Sequence, residues 1–242
     1  MKSQYVLPIT IVIAGLLIAG AVFLSGKNGT TPQNNSGQAQ AVNFRPVDST
    51  DHILGNPQAK VFIIEYADLE CPYCKTFETT MHQVMDYYNT NAPGQVAWVY
   101  RPFPLAQIHS KAPEEAQAAE CAADQGGAAE FYKYIDQVYA ITPSENNLDL
   151  TQLPKIAGDQ GLNVDQFNQC LQSGKFAQAV QNSYNEAIQS GGSGTPYILI
   201  TVAGSKDAVT LEGAQPYDSM IAAVNAVLQS TGTSVTASTT TQ

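Results

Sequence analysis

The stretch Val61-Phe62-Ile63-Ile64-Glu65-Tyr66-Ala67-Asp68-Leu69-Glu70-Cys71-Pro72-Tyr73-Cys74 decides the fold of this chain. Its first seven residues are apolar except for Glu65 and read as a buried strand. A strand that feeds a Cys-X-X-Cys is the entry to a dithiol redox site, with the two sulfurs one helical turn apart. Pro72 suits the first turn of a helix, where its missing N–H removes no intrahelical bond. Cys71 then stands at the helix N-terminus, where unpaired N–H groups and the macrodipole favour a thiolate, the attacking species in thiol exchange.

Two other readings compete for the pair. Half of a zinc site would need two further soft ligands at suitable spacing. The chain has no second Cys-X-X-Cys, and His52, His82 and His109 form no His-X3–5-His pair. A purely structural bridge between neighbouring cysteines fits poorly behind a strand lead-in. No metal and no cofactor is expected. Glu65 also has two readings. Buried beside the thiols, it would have a raised pKa and could relay protons to Cys74. As an ordinary strand residue it would face solvent, with Ile64 and Tyr66 turned inward. An acid inside an apolar strand favours the first reading.

No charged residue lies between Lys2 and Lys27, and Val6–Leu24 is almost wholly apolar. That length can span a bilayer and exceeds the usual signal-peptide core. Residues 1–26 are therefore expected to form an uncleaved transmembrane signal anchor, the alternative being a signal cleaved near the small-residue cluster Ala19-Gly20-Ala21. Residues 27–45, rich in Gly, Asn, Gln and Thr, read as a flexible stalk, and residues 230–242, mostly Ser and Thr, as a disordered tail. Residues 46–229 suffice for one domain. A net charge of −10 argues against nucleic acid as a partner. Four cysteines beyond a membrane anchor fit an oxidising, extracytoplasmic compartment.

Along the chain, Asp51–Pro57 reads as a turn-rich lead-in, Cys71 to about Asn89 as a helix, and Gln95–Arg101 as a second strand. Strand–helix–strand predicts a parallel pair with a right-handed crossover. A mainly helical insert follows, about residues 105–190. Its helices are expected over Ser110–Gln125, Ala128–Ala140, Thr151–Gly161, Asn163–Ser173 and Phe176–Ser190, the first two parted at Gly126-Gly127. Thr195-Pro196 then leads into a strand, Tyr197–Val202, paired as a hairpin with Asp207–Glu212 before a last helix, Pro216–Leu228. Proline at the start of a central strand has a special role or marks a loop end, so Pro196 reads either as cis or as an ordinary trans residue.

The strand segment, Cys71-Pro72-Tyr73-Cys74 and the late Gly194-Thr195-Pro196, with a helical insert between, resemble the DsbA-like thioredoxin-fold proteins. Ala118–Gly126 and Phe167–Leu171 look like segments of the same family, and the likeness covers roughly Ile53–Leu228. It implies an α/β thioredoxin fold with a helical insertion, here preceded by the N-terminal transmembrane helix. It implies that Cys71 is the nucleophile, Cys74 the buried resolving thiol and Glu65 the proton-relay acid. Pro196 becomes a cis proline opposite the thiols, and the Thr195 backbone pairs with the substrate chain, with Pro72 and Tyr73 completing the substrate-contacting set. Cys121 and Cys170 become a structural disulfide joining two insert helices, the alternative being two buried free thiols.

The resemblance implies a protein thiol:disulfide oxidoreductase that donates its disulfide to unfolded or secreted protein thiols. A membrane redox partner linked to quinone would reoxidise it. A single-pass cell-membrane protein with an extracytoplasmic, monomeric catalytic domain is expected. Pro-Tyr between the cysteines and Thr195 before the proline look more like the isomerase branch. A disulfide isomerase or reductase fed by a membrane electron donor is therefore the alternative, followed by a redox-inactive peptide-binding module.

Overall fold

The structure is a computed structural model, which describes residues 39–233. A six-stranded sheet forms its centre: β1 Gln40–Ala41, β2 His52–Gly55, β3 Val61–Ala67, β4 Val96–Pro102, β5 Tyr197–Val202 and β6 Asp207–Glu212. Their order across the sheet is β1-β6-β5-β3-β4-β2. β3 and β4 run parallel, from Val61 opposite Val96 to Ala67 opposite Pro102. Every other neighbouring pair is antiparallel. Helix α1, Pro72–Asn91, makes the expected β3–β4 crossover. The insert holds α2 Ala112–Ile141, α3 Gln152–Asp159, α4 Val164–Gln172 and α5 Ala177–Gln189, and α6 Tyr217–Ser230 closes the domain.

β3 is buried along its whole length because both faces of the sheet are covered. Val61, Ile63 and Ala67 face the larger core, with Phe77, Met81, Met85, Phe131, Ile135 and Val224. Phe62, Ile64 and Tyr66 face a second core with Phe44, Phe103, Ala187 and Tyr197. On that second side Arg101 of β4 is the organising charge. It donates to both oxygens of Asp51 at 2.8 and 2.9 Å and to the Tyr66 hydroxyl at 3.0 Å, and it contacts Glu186 of α5. Arg45 donates to Asp51 at 2.7 Å from the other side. Arg101 is 2% exposed, so these partners are what makes its burial tolerable.

Two expectations change. The lead-in Asp51–Pro57 contains a strand: β2 pairs with β4 along the sheet edge, from His52 opposite Tyr100 to Gly55 opposite Ala97. Four residues with no clear alternation hide that pairing from periodicity. The stretch read as stalk joins the fold at its end. Gln40 and Ala41 pair with Ala208 and Asp207, and Val42 and Phe44 are buried. Two apolar residues two apart were its only signal. The two helices expected on either side of Gly126-Gly127 are present within α2, parted at Gly127, whose φ of 71° and ψ of −159° lie outside the helical region and suit glycine. The expected anchor, residues 1–26, lies outside the described residues, as does residue 234 onward of the expected tail. Among the described residues no helix is long and apolar enough to cross a membrane.

Within the insert, Cys121 of α2 and Cys170 of α4 are disulfide-bonded, their Cα atoms 5.9 Å apart and 49 residues apart in sequence. Asn163 caps α4 by accepting from the Gln166 N–H at 3.0 Å. A loop of that length corresponds to about 4 kcal/mol in the chain-entropy account of cross-links. Replacing both cysteines by alanine should lower unfolding free energy by about 2–4 kcal/mol in urea titrations while leaving the Cys71–Cys74 chemistry intact. No loss of stability would mean that helix packing alone holds the insert.

Candidate active site

The site lies where β3 ends and α1 begins. Asp68 builds the turn between them. Its buried carboxylate accepts from the Glu70 N–H at 2.8 Å, the Leu105 N–H at 2.8 Å and the His109 ring at 2.9 Å. Its carbonyl accepts from the Cys71 N–H at 3.1 Å. These bonds join β3, the segment after β4 and the start of α1 at one residue. Cys71 is the N-cap residue, with extended φ and ψ of −78° and 122°, and Pro72 occupies the first turn as the sequence predicts.

Thr195-Pro196 is a cis peptide and faces this turn. The Thr195 carbonyl oxygen accepts from the Cys71 thiol at 3.5 Å. The β3–β5 and β5–β6 ladders end at Tyr197, so Thr195 stands beyond the last paired residue. Tyr73, 67% exposed, borders a groove of about 410 Å³ with Ser193, Gly194, Thr195, Glu212, Gly213 and Ala214. Cys71, Pro72, Tyr73, Cys74, Thr195 and Pro196 are thus brought together, as the sequence reading requires. Glu65 lies on the thiol side of β3, one strand-repeat from Ile63 and Ala67. Cys121 and Cys170 belong to the insert.

The two thiols have opposite environments. The Cys71 pKa is lowered to about 6, first by the Cys74 thiol beside it, then by the Thr195 hydroxyl and the N–H groups of Cys74 and Tyr73, against the opposing effect of burial. Cys74 is fully buried, and burial followed by the Cys71 sulfur pushes its pKa well above the ordinary thiol range. Glu65 is fully buried, and neither of its carboxylate oxygens has a hydrogen-bond partner. Burial first, then the charge of Glu78, raises its pKa well above the carboxylate range. The reading of Glu65 as a solvent-facing strand residue is therefore wrong: it enters the site as a neutral acid. A thiol at the helix start with a lowered pKa, a second, fully buried thiol with a raised one and a neutral buried acid are a set that thiol exchange with internal proton transfer could use.

Sequence reasoning passed over Asp68, Glu78, Trp98 and the acid pair Glu70 and Glu115. Glu78 carried a signal: it sits four residues after Cys74 and three before Met81, on the buried face of α1. Asp136, on α2, could be found only from the tertiary fold. Among the described residues, Glu78, His82 and Asp136 place one ligand atom each within 4.8 Å of one another, close enough to hold a metal ion. The His82 pKa is raised to about 10 by Asp136 first and Glu78 next.

Labelling of reduced protein with iodoacetamide should show Cys71 reactivity rising with a midpoint near pH 6, with Cys74 unreactive below pH 9. The depressed Cys71 pKa stabilises the reduced fold most above the unfolded thiol value of 9.0, and that contribution is lost as pH falls through about 6. A Cys71 midpoint above pH 8 would contradict this site geometry. Glu65→Gln should raise the melting temperature, more at pH 8.5 than at pH 5, because the raised carboxyl pKa makes ionisation in the fold unfavourable as pH rises. A lower melting temperature at pH 8.5 would show that the carboxylate is stabilised there.

A family model described as Thioredoxin matches residues 48–225. Among solved structures, DsbA2 of Pseudomonas aeruginosa is 26% identical with a TM-score of 0.63, covering 75% of this chain and 96% of that one. The alpha-DsbA1 of Wolbachia pipientis is 25% identical with a TM-score of 0.63, covering 76% and 94%. BdbD of Bacillus subtilis, 18% identical with a TM-score of 0.63 over 78% and 99%, shares the fold. Among curated relatives, the Na(+)/H(+) antiporter NhaA 3 of Salinispora tropica is 33% identical over 156 residues, 64% of this chain and 22% of that protein. The corresponding NhaA 1 of Mycolicibacterium gilvum is 26% identical over 160 residues, 65% and 24%. This chain therefore spans less than a quarter of the length of these relatives. With a family model matched over most of its length and this dithiol beside a cis proline, the chain belongs to the thioredoxin family, as a DsbA-like member.

Proposed function

We propose that this protein is a membrane-anchored, extracytoplasmic thiol:disulfide oxidoreductase that donates a Cys71–Cys74 disulfide to secreted proteins. The observation that carries the reading is the Cys71 sulfur at the α1 N-terminus, lowered to a pKa of about 6 and set against the cis Thr195-Pro196 peptide. A substrate thiolate attacks Cys71 Sγ, the Cys71–Cys74 bond breaks, and its electron pair goes to Cys74. Glu65 supplies the proton that converts Cys74 to its stable neutral thiol. A second substrate thiolate then attacks the mixed disulfide, forms the substrate disulfide and releases Cys71 as a stabilised thiolate. The groove along Tyr73 and Thr195 receives the substrate chain, and the unpaired strand end at Thr195 offers backbone for pairing.

Anchoring rests on the apolar segment Val6–Leu24, and the oxidising compartment on the Cys121–Cys170 bridge. Reoxidation falls to a quinone-linked membrane partner, and the catalytic head acts as a monomer. Sodium–proton antiport belongs to relatives more than four times as long as the matched segment, and it is no part of this proposal.

Magnitudes bound the direction of the reaction. Nucleophilic cysteines with pKa values of about 7 and about 3.5 occur in dithiols with potentials of about −270 and −120 mV. A value of about 6 lies between them, closer to the reducing end. Equilibration of the full-length chain with glutathione buffers, with Cys71 and Cys74 labelled apart from the Cys121–Cys170 pair, should give a potential more oxidising than about −230 mV. A value near −270 mV would sink disulfide donation and favour the reductase or isomerase reading, to which Pro72-Tyr73 and Thr195 also point.

A further inference from the structure

Further along the helix that carries the thiols stands a second group of chemically capable side chains, which thiol exchange does not use. Helix α1 supplies Glu78 and His82, and α2 supplies Asp136 from the half beyond the break at Gly127. Glu78 and His82 are four residues apart, so one face of α1 presents both. One donor atom from each of the three residues lies within 4.8 Å of the other two. His82 Nε2 is 3.4 Å from Glu78 Oε1 and 2.9 Å from Asp136 Oδ1. Two donors about 2.1 Å from one tetrahedral ion stand about 3.4 Å apart. The Glu78–His82 spacing already has that value, and the Asp136 carboxylate has to retreat by only about 0.5 Å.

Glu78 separates this cluster from an ordinary surface ion pair. It is 5% exposed, and neither of its carboxylate oxygens accepts a hydrogen bond. A carboxylate removed from water without donors is costly, and a cation shared with neighbouring ligands offsets that cost. The carboxylate points at the His82 ring, where the other two donors converge. The side chains of His82 and Asp136 are each 41% exposed, so an ion has an entry path on their side and room to keep a water. Behind His82 the Trp98 ring packs edge-on, its centroid 5.5 Å from that of the imidazole, and limits how the imidazole turns.

We propose that Glu78, His82 and Asp136 bind a divalent cation of the zinc class, which ties the helix carrying both thiols to the helical insert. The donor set selects the ion. An imidazole with two carboxylates suits Zn2+ and its transition-series neighbours, whereas Mg2+ and Ca2+ prefer shells made of oxygen alone. The ion takes the place of any proton on His82 Nε2, and water fills the remaining tetrahedral position. Neither Cys71 nor Cys74 is a ligand, so the ion binds whether or not the dithiol exchanges with substrate. The site is therefore distinct from the zinc reading weighed for the Cys-X-X-Cys pair. Spacing along α1 contains two of its ligands, and only the packing of α2 against α1 supplies the other.

The test uses the full-length chain with Cys71→Ala and Cys74→Ala, so that no free thiol competes for the ion, after metal has been stripped with a chelator. Should that chain not fold, serine replaces alanine at both positions. Co2+ is the probe, because it quenches fluorescence at short range and the single tryptophan, Trp98, lies against His82. Co2+ should quench Trp98 saturably at a stoichiometry of a single ion per chain. Zn2+ should displace it and restore the signal, and excess Mg2+ or Ca2+ should not. His82→Ala and Glu78→Gln, added singly, should each weaken Co2+ binding by about 100-fold or more, and Asp136→Asn by about ten-fold or more. Quenching that never saturates would overturn the site. An affinity for Co2+ in His82→Ala within about two-fold of the unsubstituted site would overturn it as well. Displacement by Mg2+ as readily as by Zn2+ would overturn the assignment to the zinc class. If His82→Ala does not fold, Asp136→Asn decides by the same two-fold criterion.

Discussion

Everything in this molecule depends on β3 being buried on both faces. Seven consecutive residues lie in the interior, and their apolar side chains each contribute roughly 1.5–3 kcal/mol of burial when large. That stabilisation holds Glu65 in the same strand, where a lone acid would otherwise be excluded. It also fixes the strand end rigidly, so Asp68, Cys71 and the start of α1 are placed by the sheet, not by a surface loop. A site built on a strand end and a helix start holds its sulfur to the tolerance that thiol exchange requires.

The electrostatics of the site follow from that placement with few added parts. Burial raises Cys74 and Glu65 together. The neighbouring thiol, the Thr195 hydroxyl and the N–H groups at the helix start lower Cys71 against burial. One sulfur is therefore prepared as nucleophile and leaving group, and the other is stable only as a neutral thiol. Buried titratable groups are costly to a fold, and their concentration between α1, β3 and β4 is the mark of a working site. Glu70 and Glu115 belong to the same pattern. Both are buried, and burial followed by contact with Glu70 raises Glu115 to a pKa of about 10.

The opposite side of the sheet has a structural task. Arg101, Arg45, Asp51, Glu186 and Tyr66 tie α5, β4 and the entering chain into one network. Removing a single partner would leave a buried charge unpaired, which costs more than the pair itself contributes. The insert is held by a different device, the Cys121–Cys170 cross-link between α2 and α4. The free thiols Cys71 and Cys74 and the thiols that brace are thus separated in space. Tertiary pairing settles which is which, because the number of cysteines admits several connectivities.

The strand–Cys-X-X-Cys stretch alone determined the central strand, the helix that follows and the thiol at its start, because each rests on local rules: an apolar run, a proline at a helix start, a turn of separation between thiols. The apolar acid Glu65 was legible for the same reason, as an exception within a local pattern. The hairpin Tyr197–Glu212 was legible from alternation and its turn. What only the tertiary structure decided involves partners far apart in sequence. The edge strand β2 exists because β4 offers it unpaired groups, not because His52–Gly55 has a strand pattern. Arg101 finds Asp51 and Glu186, 50 and 85 residues away. His82 meets Asp136 across 54 residues, from a helix no sequence spacing relates to its own. Local chemistry set where the reactive sulfur stands, and long-range packing set its surroundings, because burial and charge pairing are properties of the folded whole.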